Sequence, residues 1–98
     1  VVAITPQAGH EQAGRRPALV LSPVPYNAKT SLMLCCPLTT TQAKDYPFEV
    51  SVGDEAGSVV LSDQVKSLDW RSREAKRKGR VSADVLAEVR AKLHALVG

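Results

Sequence analysis

Two short stretches of this chain carry side chains that could handle a phosphodiester. The first, Glu11-Gln12-Ala13-Gly14-Arg15-Arg16-Pro17, sets a carboxylate and two guanidiniums directly before an apolar run. The second, Pro37-Leu38-Thr39-Thr40-Thr41-Gln42, sets a row of hydroxyls directly after another. A guanidinium can grip a phosphate through two parallel hydrogen bonds, and a threonine hydroxyl can add a further one. A carboxylate beside them could accept a proton. Loop side chains of these types are ordinarily only solvated, so the inference depends on the two stretches meeting in space. They do so if the runs Pro17–Ser22 and Leu32–Cys36 are antiparallel neighbours, because the first begins where the second ends.

Other chemistries lack their residues. His10 and His94 have no metal-ligand spacing with each other or with Cys35 and Cys36. Neither the glycine pattern of a P-loop nor that of a dinucleotide site occurs, and no Ser sits in a nucleophile elbow. The expectation is chemistry without a metal or other cofactor, and His94 is expected at the surface. Cys35 and Cys36 are adjacent, so in a strand they point to opposite faces and a bridge between them would be strained. They read as buried thiols of a reducing compartment. No apolar run approaches the ~18 residues of a membrane span, and no signal peptide is expected. The expected location is the cytoplasm. The chain starts at Val1, inside an apolar run and without Met, which implies that residues upstream are absent from it.

The elements that must position these groups follow from pattern and composition. Ninety-eight residues, 44% of them hydrophobic, support one domain over 1–98 with one core. Aromatics are only 4%, so that core is aliphatic, and a core this small gains from burial against a second subunit. Short strands are expected at Val1–Ile4, Pro17–Ser22, Leu32–Cys36 (closed by Pro37), Phe48–Val52 and Ser58–Leu61, with Val65–Trp70 extending or capping the sheet. Pro23, Pro25 and Asn27 mark a turn, and Leu38–Tyr46 reads as a loop. Ser82 is the expected N-cap of a terminal helix whose stripe is Leu86, Val89, Leu93 and Leu96, stopped by Gly98. The pattern is mainly β with a C-terminal helix: a small β-barrel or curled sheet with the helix packed on it. The net charge of +3 says little, but Arg71–Arg80 (RSREAKRKGR) holds six bases and one acid and could attract phosphate or an acidic protein. Tyr26 and Tyr46 lie in predicted loops and are open to either stacking on a ligand or packing, whereas Phe48 and Trp70 are expected in packing.

Three blocks, EQAGRRPALVLSP, CPLTTTQAKDYPFEV and VVLSDQVKSLDW, resemble the signature blocks of the MazF/PemK toxin family. They occur in the expected order over nearly the whole chain, followed by a charged linker and terminal helix. The resemblance implies a small SH3-like barrel with a C-terminal helix, assembled as a homodimer. It implies a metal-independent endoribonuclease that cuts single-stranded RNA, usually messenger RNA, sequence-specifically and leaves a cyclic phosphate and a 5′-hydroxyl. It also implies an antitoxin whose acidic, flexible tail occupies the RNA groove. The functional arginine, directly before Pro, falls on Arg16; the functional threonine, two residues after the Pro of the third strand, falls on Thr39; the acid of the first block falls on Glu11. Lys44 and Arg73 match the family's further basic positions, and Arg15, Gln42 and Arg71 beside these residues complete the expected RNA contacts. Arg15 occupies a position that varies in the family and is not expected to be catalytic.

The chain departs from the family in two places. Leu38-Thr39-Thr40-Thr41 holds one residue more than some members show between Pro and Gln, so Thr40 or Thr41 could stand in for Thr39 and Lys44 could be displaced. The first strand, which usually opens with Gly-Asp, begins here at Val1 and carries Ala3 and Thr5. The competing expectation is a non-catalytic toxin or binding module on the same fold, such as a gyrase poison, which would not need the Arg16 and Thr39 pair.

Overall fold

The computed structural model describes residues 2–4, 16–40, 46–54 and 56–98. Its organising strand is β3 (Leu32–Thr39), which pairs along one edge with β2 (Arg16–Val20) and along the other with two strands in succession. β6 (Lys66–Asp69) covers Leu32 to Cys35, and β5 (Val59–Leu61) covers Leu38 and Thr39. β4 (Glu49–Ser51) lies beyond β5, β1 (Val2–Ile4) beyond β2, and β7 (Lys76–Arg77) beyond β1. All these pairs are antiparallel. The path β4-β5-β3-β2-β1-β7 ends in two strands that do not pair with each other among the described residues, so the sheet is curled and open. The expectation of a mainly β chain with a C-terminal helix holds.

Pro37 does not close the third strand; Leu38 and Thr39, expected in the following loop, continue it. Pro37 falls between the last residue paired with β6 and the first paired with β5. A missing N–H costs nothing where no strand lies opposite to accept it.

Pairing to β1 also turns Lys76 and Arg77 into a short strand inside the stretch expected to be a charged linker. The turn expected at Pro23–Asn27 is a helix, α1 (Val24–Thr30). Its prolines sit at the N-cap and in the first turn, where a helix has unused N–H positions. Ser31, with φ 57°, ends it. The Ser22 hydroxyl donates to Asn27 Oδ1 at 2.5 Å and accepts from the Leu34 amide at 2.9 Å, which moors the helix to β3.

Alternation along β3 buries both faces. Cys36 joins Leu19, Val50, Val60 and Val89 in one cluster; Cys35 joins Ala18 and Met33 in the other. The two thiols are free, buried and on opposite faces, as their adjacency in a strand requires. The first cluster is sealed by α2 (Ala83–Val97), capped by the Ser82 hydroxyl, which accepts from the Val85 amide at 3.2 Å. Val89 reaches 0% exposure, with Val85 and Leu86 packed beside it, whereas Leu96 is 49% exposed. The apolar stripe therefore outruns the sheet it covers. Arg90 donates to the Leu21 carbonyl at 3.3 Å and Lys92 to the Pro47 carbonyl at 2.5 Å, fixing the helix across β2 and the entry to β4.

Candidate active site

β2 enters the sheet at Arg16, and β3 leaves it at Thr39. The last registered pair between them is Ala18 with Pro37. Arg16 and Thr39 each stand two residues further on, one at each strand's end, so the alternation of side chains puts both on the face that carries Ala18 and Cys35. They line one cleft of about 230 Å³ with Pro17, Leu38, Thr40 and Ser58. Thr39 is paired across to Val59, which holds its backbone on the β5 side, while Thr40 lies just past the strand and is exposed. The described parts of the two stretches singled out in the sequence, Arg16–Pro17 and Pro37–Thr40, thus share one end of the sheet, as antiparallel pairing demands.

A second cleft of about 240 Å³ adjoins the first at Arg16 and Pro17. Its rim carries Arg16, Lys66 and Arg73, and its floor Ala18, Cys35 and Leu68. Among the described residues no acidic side chain lines it. Three cations around an apolar floor make a local positive field, strengthened because the floor polarises poorly. Burial pushes the Cys35 thiol up, opposed by Arg73 and then Lys66, which places both cations within electrostatic reach of that sulfur. Burial pushes the Cys36 thiol up to about 11, with Cys35 and Asp63 adding to the effect. Neither thiol supplies a nucleophilic thiolate near neutral pH.

The expected site residues divide into three groups. Arg16, Thr39 and Arg73 come together around these joined clefts. Arg71 lines neither; its guanidinium lies 4.8 Å above the centre of the Trp70 ring. Glu11, Arg15, Gln42 and Lys44 lie outside the described residues, as does His10. His94 is exposed in the last turn of α2, as expected.

Sequence reasoning missed Lys66. It stands opposite Cys35 in the β3–β6 register, in a strand read from its apolar residues alone. The sign that could have found it is a lone cation in a half-buried strand that ends where the basic run starts.

The aromatic residues also fall into place. Trp70 packs on the second cluster and donates its Nε1–H to the Asn27 carbonyl at 2.8 Å. Phe48 meets Tyr46 edge to face, with ring centres 6.0 Å apart. The Tyr46 hydroxyl donates to Asp63, and that bond raises the phenol above its usual range. Tyr46 is thereby a packing residue at the head of β4, while Tyr26 sits part-exposed on α1.

Comparison with known proteins bears on the family and the fold. The family model for PemK-like, MazF-like toxins of type II toxin–antitoxin systems matches residues 1–97. The chain is 53% identical over 94 residues to the endoribonuclease toxin MazF of Escherichia coli strain K12, covering 95% of this chain and 84% of that protein. It is 35% identical over 102 residues to the Escherichia coli endoribonuclease PemK, covering 99% and 77%. Among solved structures, MazF of Deinococcus radiodurans superposes with a TM-score of 0.81 at 56% identity, over 98% of this chain and 92% of that one. A MazE–MazF complex from the same organism contains a chain that superposes at 0.85 and 50% identity, over 99% and 89%. With a family model spanning the chain, relatives at this identity and the same curled sheet under a C-terminal helix, this chain belongs to the PemK-like, MazF-like toxins of type II toxin–antitoxin systems.

Proposed function

We propose that the protein is a single-domain endoribonuclease toxin, over residues 1–98, that cuts single-stranded RNA by 2′-OH attack. The observation that carries this is the convergence of Arg16 and Thr39 at one end of the sheet, beside a cleft rimmed by Lys66 and Arg73. A gyrase poison or passive binding module has no need of that pair.

In the reaction, the 2′-oxygen bonds to phosphorus and loses its proton while the bond to the 5′-oxygen breaks. That oxygen takes a proton, leaving a 2′,3′-cyclic phosphate and a 5′-hydroxyl. Arg16 stabilises the charge that builds on the phosphoryl oxygens. Thr39 donates to a non-bridging oxygen and fixes the phosphate in line. A guanidinium holds its protons too tightly to serve as a base, so proton removal falls to Glu11, and Arg16 can donate toward the leaving oxygen. These roles call on side chains alone, with no metal or other cofactor. Arg15, Gln42, Lys44, Arg71, Lys66 and Arg73 are the proposed contacts to the rest of the strand. Arg71, already stacked on Trp70, can present that platform to a base.

The partners follow from charge and exposed surface. An antitoxin with an acidic tail competes with RNA for the same cations, in keeping with relatives solved as MazE–MazF complexes. Val24, Leu34, Leu96 and Val97 leave large apolar area in water, which supports a homodimer. Among the described residues no helix is long and apolar enough to cross a membrane. The buried free thiols fit the cytoplasm as the place of action.

The test is cleavage of a long single-stranded RNA in EDTA by the wild type, Arg16→Ala and Thr39→Ala, with the fragment ends mapped. Discrete cuts by the wild type alone, with cyclic phosphate and 5′-hydroxyl ends, would support the reading and give the recognised sequence. Intact RNA from a folded wild type would sink it.

A further inference from the structure

The cleft that holds Arg16 and Thr39 continues into another, of about 350 Å³, with which it shares Pro17, Leu38 and Ser58. The far wall of that cleft is Lys78, Gly79 and Arg80, closed by Val81, Val52 and Asp54. Together with the Lys66 and Arg73 cleft on the other side of Arg16, this makes one track over the sheet end, joined among the described residues by shared lining. Cations stand at both of its ends, and the Arg16 and Thr39 pair stands between them.

The Lys78–Arg80 segment is presented, not trailing. On its N-terminal side Lys76 and Arg77 are hydrogen-bonded as β7 onto β1. On its C-terminal side Val81 packs against the α2 cluster, and Ser82 caps the helix. Both side chains are exposed, and a Cβ at Gly79 would meet nothing within 4 Å, so the track is open to a chain lying along it. A cation held in place loses less freedom on binding than one on a loose tail. Among the described residues one acid, Asp54, lines this cleft, and it is engaged by its own turn. It accepts from the Ser58 amide at 2.7 Å, and its carboxyl is held below the usual range first by Ser58 and, in part, by Gly57. An ionised carboxylate there repels phosphate from that wall and leaves Lys78 and Arg80 as the phosphate-holding side.

Building on the ribonuclease reading, we infer that Lys78 and Arg80 form a separate phosphate-binding subsite. It holds the RNA strand on one side of the cut, opposite the side held by Lys66 and Arg73. The substrate is therefore gripped at both flanks of the scissile phosphate by one subunit.

The test measures binding apart from cutting. A mixed-sequence single-stranded RNA, methylated at every 2′-oxygen so that it cannot be cleaved, is titrated with the full chain over a series of salt concentrations. Removing two phosphate contacts in Lys78→Ala/Arg80→Ala should lower the slope of log affinity against log salt by about 1.4 and weaken binding roughly tenfold at low salt. Lys29→Glu changes the net charge by the same two units outside the track and should leave the slope unchanged. Lys78→Arg/Arg80→Lys should restore the wild-type slope. Equal losses from the two charge-lowering variants would mean a diffuse field and overturn the subsite. So would an unchanged slope, or a loss of affinity confined to an acidic polyglutamate peptide. A wild type that binds the methylated RNA through Lys78 and Arg80 yet leaves ordinary RNA intact would uphold the subsite and remove the ribonuclease reading. A wild type that binds no RNA would overturn both.

Discussion

Lys66 stands directly across from Cys35 in the β3–β6 pair, so a cation in a half-buried strand overhangs a buried thiol on the floor of the site. The chain runs on from β5 to β6 in one direction along a single edge of β3, which makes this possible. It delivers Val59 beside Thr39 and Lys66 beside Cys35 within a few residues of chain. One strand therefore positions both a proposed phosphate clamp and the cation that flanks it.

Lys66→Ala and Arg73→Ala should each weaken RNA binding most at low salt. Each should lower the salt slope by about 0.7, the contribution of a single phosphate contact on single-stranded nucleic acid. Fluorescence anisotropy with an uncleavable RNA gives the slope directly. A slope unchanged in both variants would remove the second cleft from the strand path.

Arg16→Ala should lower the cleavage rate by about 10²–10³, the usual loss when a group that stabilises developing charge is removed. The melting transition should stay close to that of the wild type, because Arg16 is exposed at a strand end. Thr39→Ala should act on the same step. In a double-mutant cycle the two losses should add to less than their sum, since both side chains hold one phosphate. Full additivity would place them on separate steps.

Val89→Ala should destabilise the fold by about 2–3 kcal/mol, from lost burial and the cavity it leaves. Val89 is completely buried between α2 and the sheet and has no part in the proposed chemistry. Urea unfolding checks this, and a change under about 0.5 kcal/mol would mean that α2 is not seated as described.

Alkaline pH should lower stability through Cys36. Its thiol is raised from 9.0 to about 11 in the folded chain, so between those values the unfolded state gives up a proton that the folded state keeps. Stability then falls as pH rises through that window, by on the order of 2–3 kcal/mol, and is fully present below it. Cys36→Ala should flatten that part of the pH profile relative to the wild type, and the native thiols should react slowly with a disulfide reagent. An identical profile in the variant would assign the alkaline loss to other groups.

Sedimentation at micromolar concentration should give a dimer. A monomer would leave the exposed Val24, Leu34, Leu96 and Val97 without the cover proposed for them.

The sequence alone determined what local physics controls. Alternating apolar runs made strands, spacings of three and four made α2, and Ser82 and Gly98 bounded it, because pleat, helical period and capping depend on near neighbours. The motif blocks led to the family, and with it to Arg16 and Thr39. The remaining features were decided by partners distant in the chain. Pro37 reads as a strand stop until β5 and β6 divide the edge of β3 and leave no strand facing its missing N–H. Lys76 and Arg77 read as linker until β1 supplies a pairing edge. Pro23 and Pro25 read as a turn, although the same residues suit the first turn of a helix, and Ser22 and Asn27 settle the choice through contacts made only in the folded chain. Lys66 could join Arg16 and Arg73 only once the register of β6 against β3 was set, because side chains from three separate segments make a site through strand pairing that no single stretch of sequence encodes.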